Sequence, residues 1–176
     1  MSGEVEVRAA DARDVALAPA ASALIASVAA HNDIALRTPD FLADKIRHGH
    51  AALAFADNEL VGFGYWSAWE GGQFVSHSGL VVRKDFQGRG LARQLKTVLF
   101  ESSRAALPRA KLISLTTSPQ VKALNLSLGF RVVPLDRLTK DPAFWAGCRT
   151  CRNWAAVQAR GDKCCCEGML LEPRAS

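Results

Sequence analysis

The chain has 176 residues, 49% of them apolar, with 22 lysines and arginines against 17 acids for a formal charge of +5. That length supports one domain with a real core, and the modest charge argues against an extended nucleic-acid surface. The longest uncharged run, Val15–Ala30, is broken by Pro19 and preceded by Asp11, Arg13 and Asp14. It falls short of the ~18–20 residues of a membrane span and lacks the basic leader of a signal peptide, so a cytoplasmic protein without a membrane partner is expected.

Glu4–Ala9 alternates polar and apolar residues and reads as a strand. Pro19–Ala30 predicts a helix, with proline tolerated in its first turn, and His31-Asn32-Asp33 ends it. Thr38-Pro39-Asp40 marks the start of a second helix running to about His48, with Thr38 as N-cap. Ala51–Ala56 and Leu60–Ser67 form a hairpin about Asp57-Asn58-Glu59. After a turn at Gly71-Gly72, Gln73–Val82 is a long strand. A helix is predicted from Leu91 to about Ala106, a short strand at Leu112–Thr116, a helix at Gln120–Leu128 and an extended segment at Arg131–Leu135. Ser118-Pro119 opens that last helix and Gly129 closes it. The order predicts an α+β fold, an α/β sandwich with a mixed, mostly antiparallel central sheet flanked by helices.

The most informative stretch is Val81–Ala92. An apolar strand ends in a charged, glycine-containing loop that opens directly into a helix. Glycine lets the backbone approach a ligand, and the free amides of a helix start favour an anion. Arg83, Lys84, Arg89, Arg93 and Lys96 stand against Asp85 alone, which holds most of the chain's net charge in one segment. A compact phosphate-bearing ligand suits that concentration better than a nucleic-acid backbone.

Gln87-Gly88-Arg89-Gly90-Leu91-Ala92 resembles the Gln/Arg-x-x-Gly-x-Gly/Ala signature of the GNAT family of N-acetyltransferases. Leu80-Val81-Val82 before it and Leu128-Gly129-Phe130 after it are similar to the same family. The resemblance covers roughly residues 4–135, and its specific motifs lie between about 80 and 130. It implies an acetyltransferase domain over residues 1–140, with 141–176 a cysteine-rich extension packed on it. It also implies acetyl-coenzyme A as cosubstrate. Leu80, Val82, Gln87, Gly88, Arg89, Gly90, Leu91 and Ala92 would form the donor site. The loop amides would hold the pyrophosphate, the Val82 amide would polarise the thioester carbonyl, and two strands would splay to admit the pantetheine arm. Transfer would go by direct attack of an amine in a ternary complex. Homodimers are frequent in the family.

His77, on the strand entering the motif, is the first candidate base, and Glu70 at the preceding turn is the second. Strict alternation groups His77 with Gly79 and Val81; a bulge would break that grouping. The family's general-acid tyrosine corresponds to Asn125 here, and its helix-opening asparagine to Ser118. Trp66, Trp69 and Phe74 cluster near one hairpin end, and Phe144 and Trp145 are candidates to join them as core or acceptor wall. A small or amino-acid-like amine acceptor, a protein lysine or N-terminus, and a catalytically weak coenzyme A-binding regulator all remain open.

All five cysteines follow residue 147: Cys148-x-x-Cys151 and Cys164-Cys165-Cys166. Cys148, Cys151, Cys164 and Cys166 have the spacing of a structural zinc site; reduced thiols or a disulfide are the alternatives.

Overall fold

The computed structural model describes residues 3–174. Its seven strands are β1 (Val5–Ala9), β2 (Ala51–Ala56), β3 (Glu59–Trp69), β4 (Phe74–Val82), β5 (Lys111–Thr116), β6 (Arg131–Val133) and β7 (Glu167–Leu171). The helices are α1 (Ala18–Ala29), α2 (Pro39–Arg47), α3 (Leu91–Ala106), α4 (Pro119–Ser127), α5 (Pro142–Ala146) and α6 (Trp154–Ala159). The strands form one sheet in the order β1-β2-β3-β4-β5-β7-β6, antiparallel except for the β4–β5 pair.

Local chemistry places these elements. Thr38 accepts from the Phe41 amide and Ser118 from the Val121 amide, so both proline-led helices begin where their caps dictate. Asp57 and Asn58 both take positive φ, 49° and 66°, the two-residue turn that matches strand twist and that Asp and Asn tolerate. Residues 12–29 are long and apolar enough to cross a membrane by length and composition. In the fold, Ala18, Ala21, Leu24 and Ile25 of this stretch are buried in the core, beside Leu53, Phe63, Tyr65 and Val81 of the sheet.

Leu91, Leu95 and Leu99 of α3 bury against the opposite face with Ala54, Val61 and Val82. A third cluster joins Phe144 of α5 to Ile113, Leu170, Trp69 and Phe74. The interior strand β7 comes from the tail, where no element is expected from the sequence. It bonds β5 through Leu112–Thr116 and β6 through Arg131–Val133.

Two irregularities in β4 shape the site. Phe63 pairs with Val81 and Tyr65 with Ser78, so two residues of β4, Gly79 and Leu80, oppose Gly64. This is a β-bulge, and Gly79 sits in it at φ 61°, where a Cβ would also lie 2.6 Å from the Tyr65 ring. The bulge resets the alternation. His77 faces the α3 side with Val75, Leu80 and Val82, while Val81 turns to the α1 side. In addition, β4 pairs with β5 only over Phe74–Ser76. Beyond Ser76 the strands part, which is the splay the resemblance implies.

Candidate active site

The parted strands open a cleft of about 720 Å³. Its walls include Leu80, Val82, Gln87, Gly88, Gly90, Leu91 and Ala92, seven of the eight donor-site residues expected from the sequence. Gly88 and Gly90 have φ of 78° and 80°, and a Cβ on either would meet nothing within 4 Å. Glycine is required there by conformation, and the open space beside the loop is where an anion would rest on the first amides of α3. Gln87 Nε2 donates to the Val82 carbonyl at 3.0 Å, tying the loop back to the strand.

Arg89 is the exception. It is exposed, lies 4.7 Å from the Phe86 ring centroid, donates to the Asp85 carbonyl and lines neither cavity. The charge of this segment is also less available than its sequence suggests. Arg83 is paired with both Glu59 and Asp85, and Arg93 donates to Ser127. Lys96 is buried inside the protein.

A second cavity of about 190 Å³ lies on the α1 side, among Arg37, Tyr65, Trp69, Phe144 and four cysteines. Arg37 Nε donates to the Tyr65 hydroxyl at 2.8 Å, and its Nη1 donates to the Gly147 carbonyl at 3.1 Å. Its Nη2 has no protein acceptor among the described residues. Burial raises the affinity of Tyr65 for its proton, so the phenol stays neutral. Trp69 donates to Ser76 at 2.9 Å and packs edge-on to Phe144. Trp66 departs from the expected aromatic group: it stacks on His50 and donates to Ser102, toward α3.

The two cavities share Asp33, Ile34, His77, Ser78, Gly79 and Leu115, so they meet at the β4 bulge. Asp33 is fully engaged there, accepting from Arg152, Asn153 and Thr117, which hold its carboxyl below the usual range. His77 is buried, with Nε2 3.0 Å from Ser103 Oγ. Ser103 spends its own proton on the Leu99 carbonyl at 2.7 Å, so the geometry assigns the imidazole proton to Nε2. Nδ1 is left bare, with no protein partner. Burial, then the nearby Lys96 and Arg104 charges, hold the imidazole well below its ordinary pKa, and it is neutral at pH 7.

Glu70 is placed elsewhere. Its carboxylate accepts from Thr139 Oγ1 at 2.7 Å and from the Lys140 amide, and it lines neither cavity. Asn125 is fully buried, donates to Ser114 Oγ and Met169 Sδ, and also lines neither. It pins α4 to β5 and β7.

The cysteines gather: Cys148, Cys151, Cys164 and Cys166 all line the second cavity, and Cys165 lies with them. The sulfurs of Cys164, Cys165 and Cys166 lie within 4.8 Å of one another, and Cys148 Sγ is 3.8 Å from Cys164 Sγ. Cys165 thus belongs to the cluster and accepts from Asn153 at 3.2 Å. The thiols of Cys148 and Cys166, with the Cys166 amide, stabilise Cys164 as thiolate. Arg37 and Lys96 are the site elements that sequence reasoning missed, while Phe144 joins the second cavity's wall as the sequence suggests.

A strand splayed from its neighbour, a glycine loop at a helix start and two cavities meeting at a bulge are the features that mark this site. The model of the acetyltransferase (GNAT) family matches residues 18–130, and the chain belongs to that family. Among curated proteins no sequence matches. The fold is shared with solved acetyltransferases. N-acetylglutamate synthase from Neisseria gonorrhoeae, solved with coenzyme A and N-acetyl-glutamate, superposes with TM-score 0.70 at 16% identity over 99% of this chain. This chain spans 36% of the length of that enzyme. YncA of Salmonella typhimurium, solved with acetyl-CoA, gives 0.66 at 18% identity, covering 99% of this chain and 96% of that one. Diaminobutyrate acetyltransferase EctA from Paenibacillus lautus, solved with its substrate L-2,4-diaminobutyric acid and coenzyme A, gives 0.64 at 13%, covering 97% and 96%.

Proposed function

We propose that the protein transfers an acetyl group from acetyl-coenzyme A to the amine of a small, carboxylate-bearing, amino-acid-like acceptor. The observation that carries this reading is the meeting of the two cavities at the β4 bulge. The larger ends in the glycine loop and would hold the donor; the smaller would hold the acceptor. The Gly88–Leu91 amides would grip the pyrophosphate, and the Val82 amide would polarise the thioester carbonyl. Arg37 offers a free Nη2 to an acceptor carboxylate, pre-aimed by its bonds to Tyr65 and Gly147.

Six residues line both cavities, and His77 alone among them brings a bare ring nitrogen; Asp33 is already occupied. Through a bridging water, His77 Nδ1 is the proposed acceptor of the proton the amine loses as it attacks. A cavity of about 190 Å³ suits a free amino acid better than a protein side chain carried on its backbone. In support, EctA and the Neisseria synthase are named for amino-acid acetylation.

The test is thiol release from acetyl-coenzyme A over a panel of amino acids and their decarboxylated or amide-capped analogues. Activity confined to the carboxylate-bearing members is expected; equal rates across the panel contradict the acceptor assignment.

For the tail, we propose one zinc-type ion on the cysteine cluster. Tetrahedral thiolate sites have Zn–S near 2.3 Å, hence sulfurs about 3.8 Å apart, which the Cys148–Cys164 separation of 3.8 Å matches. The Asn153 and Cys166 N–H groups, directed at Cys165 and Cys164, would stabilise thiolate ligands. Metal analysis of protein purified without chelator should find about one equivalent, lost in Cys148→Ser/Cys164→Ser. Five freely titrating thiols in the untreated protein, with no metal, contradict it.

A further inference from the structure

Lys96 is the fully buried lysine of the described residues, at 1% exposure, and it makes no ion pair. Its Nζ lies 4.8 Å from the centroid of the Phe130 ring, and among the described residues it donates to no side chain or carbonyl. A buried amine without a partner is costly, and one ring face is a weak counterpart for it. What surrounds the amine suggests a use. Lys96 lines the larger cleft together with Gln87, Gly90 and His77. Six residues along α3 from Gly90, its Cα stands about 9 Å inward from the helix start. The Phe130 ring that faces Lys96 is also 6.3 Å from the His77 ring, so amine and imidazole flank one buried aromatic behind the wall of the larger cleft. Asn125, where the family pattern would place an acid, contributes nothing there: it is sealed in the core.

We propose that Lys96 protonates the departing thiolate of coenzyme A. This rests on the transferase reading above. The acceptor amine attacks the thioester carbonyl carbon and a C–N bond forms. The tetrahedral adduct collapses, the C–S bond breaks and its electron pair stays on sulfur. The Lys96 ammonium gives one proton to that sulfur and becomes a neutral amine. The proton lost by the acceptor nitrogen, taken first by His77, returns to Lys96, so one amide and one thiol are formed and the protein is unchanged.

The energetics agree with the geometry. Desolvation lowers the Lys96 pKa to about 7, while a free thiol titrates near ~8.5, so the transfer runs downhill. The groups that share its surroundings are His77 from β4, kept neutral, Ser114 from β5 and the Phe130 ring after α4. Arg93, on its own helix, is turned out to Ser127. Asp33 also lines the cleft, but its carboxylate is taken by Arg152, Asn153 and Thr117.

The test uses Lys96→Met and Lys96→Gln in the full chain. Coenzyme A affinity by calorimetry should change little, whereas kcat at pH 7 should fall about 100-fold, the usual worth of a general acid. In the pH–rate profile, wild-type kcat should fall as pH rises through about 7, where the Lys96 ammonium is lost, and that limb should be absent from either variant. Wild-type kcat in both variants would overturn the proposal, as would a fall in kcat that leaves that alkaline limb in place, which would mark a merely structural role. If wild type transfers to no amine of the panel, the transferase reading fails and this proposal with it. If wild type is active and the variants match it, this proposal alone fails.

Discussion

The donor and acceptor halves of the site are built in opposite ways. The donor half is nearly continuous in sequence, Leu80 to Lys96, and works through backbone: two glycines at positive φ, a helix start and an unpaired strand edge. The acceptor half is assembled from segments more than 100 residues apart and works through side chains. Arg37 reaches the Gly147 carbonyl, and Asp33 holds Arg152 and Asn153. A backbone site tolerates divergence around it, since any residue supplies an amide. A side-chain site can be retuned one residue at a time.

The contrast can be broken most sharply at the loop. Gly90→Glu forces a side chain onto a φ of 80° and sets an anion where the pyrophosphate would lie. Coenzyme A affinity should fall more than about 100-fold by calorimetry, while circular dichroism shows a folded protein. Next, His77→Gln should lower the rate about 100-fold at neutral pH and less at high pH, where the acceptor amine is already neutral. An unchanged pH–rate profile would remove His77 as base.

Arg37→Ala should raise KM for the acceptor about 10–100-fold and leave coenzyme A binding intact, since the arginine touches the acceptor side alone. Smaller again are the effects on stability. Lys96→Met removes an unpartnered buried amine and should stabilise the fold by about 1–3 kcal/mol at pH 7 while slowing it as an enzyme. His77 has its folded pKa below the unfolded value, so the unfolded chain binds the extra proton as pH falls through the ordinary histidine range. Wild-type melting temperature should therefore decline below about pH 6.5, and His77→Gln should flatten that decline.

The same division decides what the sequence makes legible. The Asp57-Asn58 turn, the Thr38 and Ser118 caps and the 16-residue helix α3 all follow from local chemistry, and each lies where the sequence predicts it. The glycine loop is legible for the same reason. By contrast β7, Glu167–Leu171, carries no alternation to mark it; both its faces and both its edges are covered once β5 and β6 flank it. Glu70 sits near the site in sequence, yet its carboxylate is taken by Thr139, a contact across 69 residues. Lys96 counts as surface charge in a tally of the loop, and only packing against Phe130 shows it inside. Asn125 reads as a lost acid in the family pattern; in the fold it is a core amide. Restoring tyrosine there should overpack α4 against β5 and cost about 1–3 kcal/mol without raising the rate.

The most direct test of the two-cavity account is the steady-state rate of thiol release from acetyl-coenzyme A in wild type and Arg37→Ala, with each amino acid paired to its decarboxylated analogue and the products weighed by mass spectrometry. The account predicts an N-acetylated amino acid from wild type, little product from the analogue, and loss of that preference in Arg37→Ala. Equal acetylation of both members by wild type, or a preference that survives in Arg37→Ala, would contradict it.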